Sequence, residues 1–138
     1  MAVRVRVKIS RGSREKTLIV LVNSGAESEE PVVVVSPRDA IDLGFNLEEF
    51  DVVEVELASG KTQGLISREK VILELLSENG STLSTTQAYL AVDENLIEPL
   101  ITDATIDELG IVVLSFKKGL WRHRNDPPNI TRYSAPYK

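Results

Sequence analysis

Asn23-Ser24-Gly25-Ala26 is the stretch of this chain whose residue types come closest to an active-site loop. It follows the apolar run Thr17–Val22 and precedes an acidic loop, so it reads as a polar elbow at the end of a buried strand. A carboxylate at such an elbow would serve as a general acid or base. Asn23 has no proton to exchange near neutral pH, although its amide can hold a water or a carbonyl. Ser24 adds a hydroxyl, and Gly25 lets another backbone approach closely. Glu27, Glu29 and Glu30 lie beside the elbow and read as a charged, exposed loop.

Other chemistry-bearing groups carry less. Asp103 and Asp107, with Glu108, fall on a predicted helix at i,i+4 spacing. Acidic residues near a helix start follow from the dipole alone, so no metal site is assigned. "ASGKTQG", residues 58–64, contains Lys61 between glycines but lacks the order G-x-x-x-x-G-K-[ST], so it reads as a hairpin and not a phosphate loop. His123, in "WRHRND", reads as a surface residue among cations, and Trp121 as a packing residue.

Composition narrows the classes. The 138 residues match one ordinary domain, and with 42% hydrophobic but only 5% aromatic residues the core must be aliphatic. β-branched runs favour strands. No cysteine is present, which excludes disulfides, thiolate metal sites and thiol nucleophiles and suits a reducing compartment. A single His leaves little material for a His cluster or a Ser-His-Asp triad. "MAVRVRVKIS" alternates and presents no apolar leader, and no run reaches membrane-spanning length. The expectation is a cytoplasmic protein without a membrane partner. The net charge of −5 is uneven: both ends are basic and the middle is acidic. Basic ends would serve nucleic acid only if gathered on one groove with aromatics, so they read first as solvent faces of strands.

The positioning elements follow from periodicity. Val3, Val5, Val7 and Ile9 alternate with cations as in a half-buried strand. Strands are predicted at 17–22, 31–35, 51–57, 65–77, 82–92, 96–101, 111–116 and 120–122. Ser36-Pro37 starts a short helix that stops at Gly44, and Thr102 or Asp103 caps a second that stops at Gly110. "AIDLGF" and "TIDELGI" repeat one strand–loop–helix theme, which suggests a pseudo-duplicated domain. Residues 123–138 are Pro-rich and polar and read as an extended arm after a domain of residues 1–122.

The order of strand, "LVNSGA", loop, strand, helix and Leu-Gly resembles the retropepsin-type aspartic peptidases, whose signature is an apolar strand followed by Asp-Thr/Ser-Gly-Ala. "PLITDATIDELGIVV", residues 99–113, is similar to the family's second landmark, and the likeness spans about residues 17–116. It implies an all-β closed barrel with two short helices, one subunit of a homodimer. It places Asn23, Ser24 and Gly25 at the catalytic position. It puts Ala26 and the flap residues Ser59, Gly60, Lys61 and Thr62 against substrate, with no cofactor or metal. Two positions depart from the pattern: Asn23 stands for the catalytic Asp, and Thr102 for a Gly. The family pairs two carboxylates across a dimer so that they share one proton. With Asn at both positions the shape would persist without the chemistry.

The function so implied is a catalytically inactive peptidase homologue whose dimeric cleft binds an extended peptide. The alternative is an active endopeptidase whose Asp has been replaced by engineering. A weaker alternative is a nucleic-acid accessory protein using the basic ends.

Overall fold

Val3, Val5, Val7 and Ile9 are each no more than 1% exposed, so the alternation of the first ten residues directs four aliphatic side chains inward. The computed structural model describes residues 2–57 and 60–137. Its elements, in chain order, are β1 (Arg4–Arg11), β2 (Arg14–Val22), β3 (Val32–Val35), α1 (Pro37–Asp42), a 3-10 turn (Leu47–Glu49), β4 (Asp51–Leu57), β5 (Gly60–Leu76), β6 (Thr82–Val92), β7 (Leu100–Ile101), α2 (Asp103–Leu109), β8 (Ile111–Ser115), β9 (Leu120–His123) and β10 (Arg132–Tyr133). The fold is mostly β. No helix among the described residues is long and apolar enough to cross a membrane.

Seven strands form a mixed sheet in the order β1-β2-β7-β3-β6-β5-β4, and an added β1–β5 pairing closes six of them into a ring. The length of β5 makes the closure possible. One edge pairs first with β4, through residues 60–66, and then with β1, through residues 72–76. Its other edge carries β6. A bulge between Ile66 and Lys70 lets β5 bend, and the buried Ser67 repairs the ladder there. Its hydroxyl accepts from the Leu90 amide at 2.9 Å and donates to the Glu69 carbonyl at 2.7 Å.

The ring has an internal near-symmetry. β1-β2-β3-α1 and β5-β6-β7-α2 are equivalent units: β2 pairs parallel with β7, β6 pairs parallel with β3, and β3 meets β7 antiparallel. The likeness reaches single hydrogen bonds. The Asn23 amide donates to the Ile101 carbonyl at 3.3 Å, and the Asp93 amide donates to the Val35 carbonyl at 3.2 Å. Asn23 Oδ1 accepts from the Gly25 amide, just as Asp93 Oδ1 accepts from the Asn95 amide. Glu30-Pro31 and Glu98-Pro99 open the two helix-bearing strands. The repeat of "AIDLGF" in "TIDELGI" is thus one part of a repeat of whole units.

Several expectations change. The strand predicted over 96–101 is confined to Leu100–Ile101, because Pro99 has no N–H to give a ladder and contributes only its carbonyl, which accepts from the Leu21 amide at 2.8 Å. Lys61–Gly64 belong to β5, paired with Val53–Glu56, and not to a hairpin tip. His123 is 2% exposed and not a surface residue, because β9 sits between β8 and β10 and alternation turns Trp121 and His123 to the same inner face. Its Nδ1 accepts from the Asn125 amide at 3.2 Å, while Nε2 has no partner among the described residues.

The polar arm is held against the body. The Ala135 amide donates to the Arg4 carbonyl at 2.7 Å, and the Arg4 amide donates to Ser134 Oγ at 2.8 Å. Arg132 grips both oxygens of Asp126 at 2.8 Å. That grip, aided by the His123 amide, holds the Asp126 carboxyl down to about 2 against the cost of its burial. A carboxyl depressed in the folded state adds stability above its unfolded value near ~3.9, and the contribution fades as pH falls toward the folded value. Wild-type stability in chemical denaturation should therefore drop by on the order of 2 kcal/mol between about pH 4 and pH 2 through this group. Asp126→Asn should be less stable at pH 6 and flatter across that window; an equally steep loss in the variant would remove Asp126 as its source.

Candidate functional site

The elbow begins where β2 runs out of strand partners. Val22 pairs with Ile101, and the next residue spends its amide on the Ile101 carbonyl. Asn23 then folds its side chain back, so that Oδ1 accepts from the Gly25 amide at 3.1 Å while its carbonyl accepts from the Ala26 amide at 3.1 Å. This is an Asx turn, a local preference of Asn and Asp. A Cβ on Gly25 would lie 3.3 Å from Asn23 Oδ1, so a larger residue would press on the amide that the turn depends on. Ser24 and Gly25 are exposed, while Asn23 and Ala26 are half-buried. The Ser24 hydroxyl has no hydrogen bond among the described residues.

The far side of the loop is stapled to the start of α2. The Asp103 amide donates to the Ala26 carbonyl at 2.8 Å, and Asp103 Oδ1 accepts from the Ser28 and Ala104 amides at 2.9 and 2.7 Å. Asp103 is therefore a structural clamp for the elbow. Glu30 is paired with Lys70 at 3.0 Å.

Thr102 is the centre of this clamp. Its backbone is ordinary extended chain, φ −81° and ψ 170°, so a Cβ brings no strain. Its hydroxyl lies 2.6 Å from Ser28 Oγ and 3.0 Å from Thr105 Oγ1. Proton counting orders the network. Ser28 gives its proton to the Glu30 carbonyl and Thr105 gives its own to the Val32 carbonyl, so Thr102 donates to Ser28 at 2.6 Å in preference to the Val32 carbonyl at 3.4 Å. Thr105, fully buried, also accepts from the Val32 amide at 2.8 Å. Ser28 and Thr105 are positioning groups that motif reading passed over, and Thr102 and Asp103, read there as helix-cap candidates, take a clamp role it did not assign. The available signal was the density of Ser and Thr hydroxyls in two loops that had to meet.

The residues expected against substrate fall into two sets. Ala26 is in the elbow. Gly60, Lys61 and Thr62 are exposed at the start of β5, on the β4–β5 hairpin, where Lys61 pairs with Glu54 at 3.2 Å. Ser59 lies outside the described residues. No hydrogen bond or ion pair joins the hairpin residues to the elbow among the described residues. Within one chain the elbow presents an amide, a hydroxyl and exposed backbone, with no titratable group at its centre.

No protein-family model matches the chain, and no curated protein matches it.

The clamp orders two substitutions. Thr105→Val leaves the half-buried Val32 amide without its acceptor and should lower the unfolding free energy by about 1–3 kcal/mol. Thr102→Val removes one donor, leaves Ser28 bonded to the Glu30 carbonyl, and should cost about 1 kcal/mol. Urea unfolding of both variants checks the order; a costlier Thr102→Val would contradict the proton assignment.

Proposed function

We propose that this chain is a retropepsin-like aspartic peptidase homologue that has lost its catalytic carboxylate and works as a homodimer whose cleft binds an extended peptide. One observation carries the reading: the Asn23-Ser24-Gly25 turn is bonded, through the Asn23 amide, to the Ile101 carbonyl at the end of β7, just before α2. Those are the two landmarks of the family resemblance, far apart in sequence and adjacent in the fold. The repeat of two strand–strand–strand–helix units is consistent with the same reading.

The chemistry follows from residue 23. In a pair of elbows, one ionised and one protonated carboxyl would activate water and protonate the scissile carbonyl. Asn is close to isosteric with Asp and uses Oδ1 for the turn, so the shape is kept. Its NH2 group donates but does not exchange a proton, so a bound peptide is held uncut. Ser24 is exposed and its hydroxyl is available to a second copy across the axis. Edge strand β8, with Leu114 on it and Phe116 just after it about half exposed, offers a further contact between subunits.

Asn23→Asp tests the proposal. The variant should cut an unstructured protein between pH 3 and 7 in a pepstatin-sensitive way, at least roughly 10²–10⁴-fold faster than wild type. Both forms should sediment as dimers. Monomers at high concentration, with no cleavage by the Asp form, would overturn the reading.

A further inference from the structure

Beside the elbow, on the outer face of the ring, β1 and β2 present two rows of side chains. Arg4, Arg6 and Lys8 alternate outward on β1; Thr17, Ile19 and Leu21 alternate outward on β2, with Arg4 opposite Leu21 and Arg6 opposite Ile19. Ile19, Leu21 and Asn23 share one phase of the strand, so the β2 row leads into the elbow, about 7 Å per two-residue step. The chain before β7 and the end of the C-terminal arm rise on either side of these rows. Together they form a groove of about 440 Å³ whose walls include Ile19, Ile97, Pro99 and Tyr137, with Arg4 and Arg6 among its lining. Ile97 is 88% exposed and Tyr137 55% exposed, so the apolar walls are open to a ligand.

The charges in this groove are unequal. Arg4 is neutralised by a two-point bond to Glu98, at 2.7 and 3.0 Å, and its guanidinium lies 4.4 Å from the Tyr137 ring centre. Lys8, further along the row, stands between Glu74 at 3.2 Å and Glu15 at 3.9 Å. Arg6, half-buried between them, has no carboxylate within 4 Å among the described residues. Among the described residues, a protein of net charge −5 thus keeps a guanidinium without a carboxylate partner in a groove with apolar walls beside β2, the strand that ends at the candidate site. A planar guanidinium with free N–H groups matches a carboxylate in a forked bond, and a half-buried position shields that bond from water.

From this charge pattern we infer that the groove selects an extended peptide carrying an acidic side chain next to bulky apolar ones, with Arg6 receiving the carboxylate. The inference rests on the peptide-binding reading above and adds the class of peptide. The apolar walls take the neighbouring side chains, and the Arg4–Glu98 pair stays intact.

Fluorescence anisotropy with two dye-labelled peptides tests it: Ser-Gly-Leu-Glu-Phe-Val-Ala-Gly and its counterpart with Gln in place of Glu. Wild-type protein in low salt should bind the Glu peptide about tenfold more tightly. Arg6→Gln should shrink that preference below about twofold, whereas Lys8→Gln, which changes a cation already paired, should leave it. Equal binding of both peptides to wild type, or a preference that survives Arg6→Gln, would overturn the inference while leaving the cleft reading standing. Failure of wild type to bind either peptide would also overturn the inference, the cleft reading being decided by the cleavage and sedimentation tests of Asn23→Asp.

Discussion

The amide of Asn23 donating to the carbonyl of Ile101 is the constraint around which the candidate site is organised. It joins the end of one strand to the end of another nearly eighty positions away, and every other contact of the elbow builds on that junction. The Asx turn sets the direction of the loop leaving β2. Asp103 and the Ser28–Thr102–Thr105 hydroxyls then fasten the returning chain. Buried hydroxyl networks are stable only when each proton has an acceptor, and here the count closes. The elbow's backbone is thus hydrogen-bonded on both flanks while its tip, Ser24-Gly25, stays exposed.

The ring that carries the elbow depends on a different economy of hydrogen bonds. A sheet of this size in a small chain would expose two edges, and β5 removes most of that exposure by serving β4, β1 and β6 along its length. The duplication explains why the same arrangement recurs at Asp93. There the turn bears a carboxylate, Asp93 Oδ1 accepts the Asn95 amide, and the residues that follow are Glu94 and Asn95 in place of Ser24 and Gly25. The two elbows share backbone logic and differ in side-chain chemistry, so the turn itself is a fold device that either residue can serve.

Charge is spent mainly inside the molecule. Most of the basic residues near the two ends contact acidic groups or helix-end carbonyls of the same chain: Lys16 with Asp39 and Asp42, Arg11 with Glu69 and the Gly44 carbonyl, Arg124 with the carbonyls of Asp107 and Glu108, and Arg132 with Asp126 and Glu78. The basic ends and acidic middle therefore meet within one subunit. Among the described residues Arg6, like Lys117 and Lys118, lacks such a match, and of these it alone lines the groove beside β2.

Local pattern alone determined much of this protein. The period-two run of Val3 to Ile9, the Ser36-Pro37 helix start, the αL glycine ending α2 and the polar elbow after Val22 all depend on residues within a few positions of one another. Tertiary structure decided the burial of His123, the shortening of the strand before Ile101, the clamp at Thr102 and the contrast between Arg4 and Arg6. Each of those turns on a partner distant in sequence: strands on both sides of β9, the Leu21 amide, Ser28, and Glu98. Spacing along a chain records which face a side chain takes, but whether a polar group there is matched depends on what the closed ring brings opposite it.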